Sequence, residues 1–358
     1  MRYLDAVSTE PLHPAAREVL LSALDQGYAD PLRLHGPGRN ARLLLDNARE
    51  VTAECLGVRP DEVTFTSSGT AAVHAGLLGL ALGAARTSRH LVHSAVEHSA
   101  VLHAARWWVS VHGGTTEAVP VDRLGRISAL PQDAGVIAVQ HGNPEVGTLQ
   151  DVDPGGTPWF MDACATAGRI DLPQGWSAAA ASAHKWGGPA GVGVLLVKKG
   201  ARWRAPFPTD DRTDPRVAGF ENVPAILAAA AALQALRAED ISATQHALTE
   251  RIREAAGAIE DVDVVGDPDR RLPHVASFSA LYVEGEALVM ELDRLGFGVA
   301  SGSACTASAL EPSHVLAAMG ALTHGNIRVS LTRTATSEDV DALLAVLPEV
   351  IGRLRHGI

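Results

Sequence analysis

Phe65-Thr66-Ser67-Ser68-Gly69-Thr70-Ala71 joins a short strand signal, Glu62–Thr66, to a long apolar helix signal through a few small polar residues. A strand that ends, turns tightly and opens a helix is the basic connection of an α/β domain. The free N–H groups and positive dipole end of such a helix suit a phosphate. An ordinary helix with Ser or Thr as its N-cap reads the same way. Outward from this stretch, helix and strand signals alternate. Pro14 to Gln26 predicts a helix, Gly27–Gly38 a Gly/Pro loop, and Asn40 to Leu56 an amphipathic helix with Leu43, Leu44, Ala48, Val51 and Cys55 at helical spacing. Strands are expected at His90–His93, Glu117–Val121, Val136–Gln140, Trp159–Asp162 and Gly193–Val197. The pattern predicts an α/β domain whose mixed, mostly parallel sheet lies between helices. The last third differs. Helix signals over Val223–Leu236 and Ala243–Ile259 are followed by strand signals at Val262–Val265, Ala276–Ala280, Val299–Ala300 and Asn326–Leu331. A domain boundary near residue 240 and a smaller α+β domain are expected.

Composition bounds what such a chain does. Its 358 residues correspond to a prior of about two domains. With 46% hydrophobic and 20% charged residues it is globular, not fibrous or disordered. A net charge of -11 argues against non-specific binding of nucleic acid or an anionic membrane surface. The apolar stretches Ala71–Ala85 and Ala225–Leu233 fall short of the roughly 20 residues a bilayer requires, and predict buried helices. Asp5 stands where a signal peptide needs its apolar run, which predicts a cytoplasmic location. Three cysteines, Cys55, Cys164 and Cys305, make no disulfide framework. The 15 His are scattered, and no metal is assigned.

The lysines are the informative count. Of 30 basic residues only Lys185, Lys198 and Lys199 are Lys. Lys198-Lys199-Gly200 reads as a charged turn after an apolar strand. Lys185, in Ser182-Ala183-His184-Lys185-Trp186-Gly187-Gly188-Pro189, follows the apolar segment Ala178 to Ala183. Desolvation there favours the neutral amine that forms a Schiff base, although a surface-loop lysine fits the same pattern. Asp162 ends the apolar strand Trp159-Phe160-Met161, where ligand contacts collect in an open α/β sheet. It suits the protonated ring nitrogen of pyridoxal phosphate, or simply caps a loop. His98, in Glu97-His98-Ser99, can stack on a planar cofactor and move protons, or sit solvated at a helix start. Arg328, in Asn326-Ile327-Arg328-Val329-Ser330-Leu331, has apolar neighbours and requires an anionic partner: a substrate carboxylate or an internal ion pair. Cys305 lies in Gly298-Val299-Ala300-Ser301-Gly302-Ser303-Ala304-Cys305-Thr306-Ala307-Ser308, a run too small and polar to build a core, which predicts an exposed, reactive thiol. Cys55, on an apolar helix face, and Cys164, after the Asp162 strand, are expected to be shielded and inert.

Nearly end to end, the chain resembles the cysteine desulfurases, a branch of the class V aminotransferases with pyridoxal phosphate fold type I. Tyr3-Leu4-Asp5 through Pro11 is similar to the family's opening YLD…TxP, and Phe65-Thr66-Ser67 onward to its FTSGxTE phosphate loop. Glu97–Leu102 resembles EHxAVL, and Ser182-Ala183-His184-Lys185 resembles SxHK. Ser301–Thr306 matches SGSACT of the long-loop branch. Glu311–Leu316 and Ile327–Leu331 continue the likeness. The resemblance implies pyridoxal 5'-phosphate held by Lys185, Asp162, His98, Ser68, Gly69, Thr70, Ser182, His184 and Asn143. It implies that Arg328 and Asn143 bind substrate, and that Cys305, Lys185 and His98 are catalytic. It further implies a large domain over about 13–240, a small domain from 1–12 and 241–358, a homodimer, and removal of sulfur from L-cysteine. The products would be L-alanine and a Cys305 persulfide for an acceptor protein, an iron–sulfur scaffold or a thiolation partner. A related C–S lyase or selenocysteine lyase that does not need Cys305, or a non-catalytic scaffold of this fold, are the alternatives. Four positions depart from the family pattern. Pro144 replaces the second Asn of NNExG, Ala165 the Gln of DATQ, Phe220 the Thr of RSGTENVPA, and Ala71 the Glu of the phosphate-loop motif.

Overall fold

The computed structural model describes residues 1–210, 213–217, 219–302 and 312–356. Strand β1 (Arg2–Tyr3) precedes helices α1 (Pro14–Gln26) and α2 (Gly36–Leu56). There follow β2 (Val63–Thr66), α3 (Gly69–Ala84), β3 (His90–Ser94), α4 (Ser99–His112), β4 (Thr115–Val119), β5 (Val136–Ala138), β6 (Trp159–Asp162), β7 (Ala178–Ser182) and β8 (Gly193–Val197). The remainder is α5 (Val223–Ala238), α6 (Ser242–Gly257), β9 (Val262–Val265), β10 (Val275–Ala280), α7 (Gly285–Arg294), β11 (Phe297–Gly298), α8 (His314–Met319), β12 (Asn326–Ser330) and α9 (Ser337–Arg355).

The main sheet has the order β2-β8-β7-β6-β5-β3-β4, and only β8 runs against its neighbours. The mostly parallel α/β architecture expected from the sequence is therefore present. Its inner strands β5, β6, β7 and β8 are buried on both faces because helices cover both. Trp159, Met161, Ala179 and Ala181 face the layer of α1, α2 and α5, whereas Phe160, Ala178, Ala180 and Leu195 face α3 and α4. The Ala-Ala-Ala-Ala-Ser sequence of β7 and Gly76 of α3 let that helix lie close to the sheet. A Cβ on Gly76 would fall 2.6 Å from the Phe160 ring. A second sheet, β12-β10-β9, is antiparallel and shares a separate apolar cluster with α6, α7 and α9.

Helix ends follow local chemistry. His35 caps α2, its Nδ1 accepting the Gly38 N–H, and Gly57 closes that helix with φ 66. Several sequence boundaries shift for similar reasons. The end of the Gly/Pro run expected as a loop over Gly27–Gly38 already belongs to α2, from Gly36 onward, because Pro37 fits a first helical turn. Leu43, expected on the apolar face, is exposed; Ala41, Leu45, Ala48, Thr52 and Leu56 make the buried face. The strand expected at Val299–Ala300 lies at Phe297–Gly298, where it pairs in parallel with β1. The strands read at Glu117–Val121 and Val136–Gln140 lie at Thr115–Val119 and Val136–Ala138.

Candidate active site

In the main sheet the C-terminal ends of all the parallel strands meet one edge, and a cavity of about 360 Å³ opens there. β2, β3, β6 and β7 lead residues into it. β2 leads to Ser68, Gly69 and Thr70; β3 to His98; β6 ends on Asp162; β7 ends on Ser182 and leads through a single 3-10 turn to His184 and Lys185. All of these line the cavity. The sequence signals were scattered over more than a hundred residues, and the sheet topology brings them to one place.

The helix-start cradle is tightly built. Ser68 is the N-cap of α3, its Oγ accepting the Ala71 N–H at 3.1 Å, and Thr66 Oγ1 donates to the Ser68 carbonyl at 2.9 Å. A Cβ on Gly69 would lie 2.8 Å from Ser182 Cβ, and one on Gly193 would lie 2.2 Å from the Ser68 carbonyl oxygen. Glycine at both positions keeps the start of α3 open to an anion.

Electrostatics set protonation at the cavity wall. His98 caps α4, and its Nδ1 accepts the Ala100 N–H at 3.2 Å, so a neutral ring carries its proton on Nε2. Burial pushes the His98 pKa down, Asp162 pulls it back up and Lys185 lowers it again. The carboxylate of Asp162 accepts the Cys164 N–H at 2.9 Å. Burial holds the Cys164 thiol well above its ordinary pKa, and the charge on Asp162 adds to this. Cys164 therefore faces the cavity as a neutral thiol, while Cys55 is half-buried on α2 with its pKa raised by burial. His184, lowered by burial and by Lys185, is tied through Nδ1 to Thr9 Oγ1 at 3.0 Å.

Two expected ligands are engaged within the protein. Asn143 is not among the cavity-lining residues; its Nδ2 donates to the Val96 carbonyl at 3.1 Å and its Oδ1 accepts the Glu145 and Val146 N–H groups. Arg328 pairs with Asp5 at 2.7 Å, the internal ion pair that its sequence setting left open. Cys305 lies outside the described residues.

Other residues of the site carried a weaker signal. Gln140 lines the cavity and donates from Nε2 to the Val96 carbonyl at 2.6 Å. The strand expected over Val136–Gln140 ends on it, and that C-terminal end is its sequence signal. Glu97 precedes His98 in the chain. Its Oε1 accepts the Gln140 N–H at 2.8 Å, Oε2 is buried without a partner, and burial raises its pKa well above the usual carboxylate range. His274 is buried with its pKa pushed well down, first by burial and then by Arg169, Arg328 and Lys185. No single-residue pattern announces either one.

A cavity with a glycine-lined helix start at one end, an amine from Lys185 and a buried carboxylate from Asp162 has the donor set that a phosphorylated pyridine aldehyde requires. The chain belongs to the aminotransferase class-V family, whose pattern matches residues 2–343. Within that family its relatives are named cysteine desulfurases. It is 34% identical to cysteine desulfurase IscS of Dictyoglomus turgidum over 99% of this chain and 95% of the relative. It is 35% identical to the IscS-like cysteine desulfurase of Mycobacterium tuberculosis over 99% of this chain and 98% of the relative. A solved NifS-like protein superposes with a TM-score of 0.88 at 28% identity, covering 99% of this chain and 100% of that one. The fold is that of the pyridoxal phosphate enzymes of fold type I.

Proposed function

We propose that this chain is a cysteine desulfurase that uses pyridoxal 5'-phosphate to take sulfur from L-cysteine, releases L-alanine and passes the sulfur through Cys305 to an acceptor protein. The observation that carries this reading is the meeting of Lys185, Asp162, His98 and the Ser68–Thr70 helix start in one cavity, in a chain that also contains Ser301-Gly302-Ser303-Ala304-Cys305-Thr306. Lys185 would hold the cofactor covalently, Ser68, Gly69 and Thr70 its phosphate, and Asp162 a proton on its ring nitrogen. Ser182 and His184 complete the wall beside Lys185. When bound, pyridoxal phosphate supplies an electron sink for the substrate's Cα. Arg328 takes the substrate carboxylate, and Lys185 and neutral His98 move protons within the cavity. The Cys305 thiolate then attacks the substrate sulfur. An S–S bond forms as the C–S bond breaks, the electrons stay with carbon, and that carbon takes a proton and leaves as alanine.

The same reading divides the chain into a cofactor domain over about 13–240 and a small domain from 1–12 and 241–358. It takes a homodimer as the working form. Leu32, Leu34, Trp107, Phe207 and Phe220 expose large apolar side chains, which supports a partner copy. Light scattering that gives a monomer at micromolar concentration, with cofactor bound, would contradict the dimer. No helix among the described residues is long and apolar enough to cross a membrane, which is compatible with the proposed cytoplasmic location. The function is tested by alanine and sulfide formation from L-cysteine, with and without an iron–sulfur scaffold or a thiolation acceptor. An absence of alanine from the cofactor-loaded enzyme would refute it.

A further inference from the structure

Arg328 lies on β12 with its side chain 5% exposed, and a guanidinium so deep requires a counter-charge. The segment before α1 supplies it. Arg328 Nη2 donates to Asp5 Oδ1 at 2.7 Å and to Ser8 Oγ at 2.7 Å, and Nη1 donates to the Pro144 carbonyl at 3.2 Å. The Nε–H is buried without a partner. A carboxylate prefers the guanidinium edge formed by Nε and Nη2, where it accepts two parallel hydrogen bonds. Here half of that edge is unpartnered, and the other half is held by Asp5 and Ser8. Asp5 cannot drift away with its segment. Its carbonyl accepts the Ser8 and Thr9 N–H groups and the Tyr3 hydroxyl, and the Ala6 N–H donates to the Ser330 carbonyl. The carboxylate is thus pinned beside the guanidinium while engaging it through one nitrogen only.

We propose that Asp5 is the resident carboxylate of Arg328 and competes with the carboxylate of the amino-acid substrate, so that substrate binding exchanges one anion for another on the same guanidinium. The inference rests on the reading of Arg328 as the substrate-carboxylate site. In the absence of substrate Asp5 neutralises a buried charge. In its presence Asp5 loses the Nη2 contact, and the incoming carboxylate takes Nε and Nη2 together. Asp5 thereby sets how strongly an α-carboxylate is favoured over a neutral group in its place. The segment that carries it also contacts the residue before the lysine: Thr9 Oγ1 meets His184 Nδ1 at 3.0 Å, and the Glu10 N–H donates to the His184 carbonyl at 2.9 Å.

Asp5→Asn keeps the shape and an acceptor oxygen while removing the competing charge. The test compares L-cysteine with L-cysteinamide in steady state, and L-alanine with L-alaninamide in equilibrium calorimetry, on cofactor-loaded wild type and variant. The expected result is a preference for the carboxylate ligands over the amides that rises by about tenfold in D5N, corresponding to ~1.4 kcal/mol, and appears in KM and Kd more than in kcat. A purely structural role for Asp5 would weaken both ligands of each pair alike. Arg328→Gln separates the two layers of the argument. If R328Q abolishes the carboxylate preference while D5N leaves it at the wild-type value or lowers it, the competition proposal is overturned and the Arg328 site stands. If R328Q leaves the preference intact, both fall. Asp5→Ser, which also removes the competing charge, gives the same comparison should D5N not fold, and an unchanged preference there counts equally against the proposal.

Discussion

Replacing Glu145 by Gln should stabilise the protein above neutral pH and change little in acid. Glu145 is 7% exposed, and its Oε1 is buried without a hydrogen-bond partner. Burial raises its pKa to about 7 from an ordinary 4.5, against the lowering effects of a hydrogen bond from Ser313 and the charge on Arg328. A raised carboxyl pKa means that the unfolded chain releases the proton before the folded one does. Below pH 4.5 both states hold it and the carboxyl adds no penalty. Between pH 4.5 and 7 the folded state loses ground as pH rises, and above 7 the loss is complete. The difference of about 2.5 pH units, at 1.36 kcal/mol each, puts the full effect at roughly 3 kcal/mol. Denaturant unfolding of wild type and E145Q, followed by circular dichroism from pH 4.5 to 9, should give stability curves that converge in acid and diverge to a plateau above pH 7, with the variant higher. Parallel curves, or a variant less stable at pH 8, would refute the reasoning. The position matters beyond stability. A Cβ on Gly302 would fall 2.1 Å from Glu145 Oε1, and Ser313 bonds the same carboxyl, so Glu145 touches both flanks of the segment that carries Cys305.

Lys185→Ala should abolish covalent attachment of pyridoxal phosphate and turnover. Borohydride reduction of the wild type followed by peptide mapping should label Lys185, and a label on Lys198 or Lys199 would sink the assignment. Gly193→Ala should destabilise by about 1–3 kcal/mol through overpacking and weaken cofactor binding, because the new Cβ meets backbone at Ser68 that has no room to yield. An unchanged melting temperature and unchanged cofactor affinity on titration would contradict it.

The cavity was legible where chemistry and local pattern coincide. Lys185 stood out by scarcity and by the small residues before it, Asp162 by ending an apolar strand, and Ser68 by capping a helix. In sequence, Lys198 looks only like part of a charged turn. Its ammonium lies 4.3 Å from the Trp176 ring and 3.3 Å from Glu62, partners far away in sequence. Distance along the chain hid the rest as well. Arg328 announced a need for an anion, but Asp5 lies at the other end of the sequence, and only the pairing of β12 with the opening segment brings them together. Glu97 and Glu145 look like ordinary acids in sequence. Their raised pKa values arise from burial, which no local pattern encodes. Strand ends moved where pairing, not propensity, decides them, as at β11, which exists because β1 lies beside it.

The central claim is that sulfur passes through Cys305. Mass spectrometry of the cofactor-loaded enzyme after one turnover with L-cysteine tests it most directly. The account predicts a gain of one sulfur atom on the peptide that contains Cys305, one alanine per active site, and no adduct on the Cys55 or Cys164 peptides, whose thiols burial holds protonated. Alanine released at that stoichiometry with no sulfur on the Cys305 peptide would contradict it and favour a lyase that does not need this cysteine.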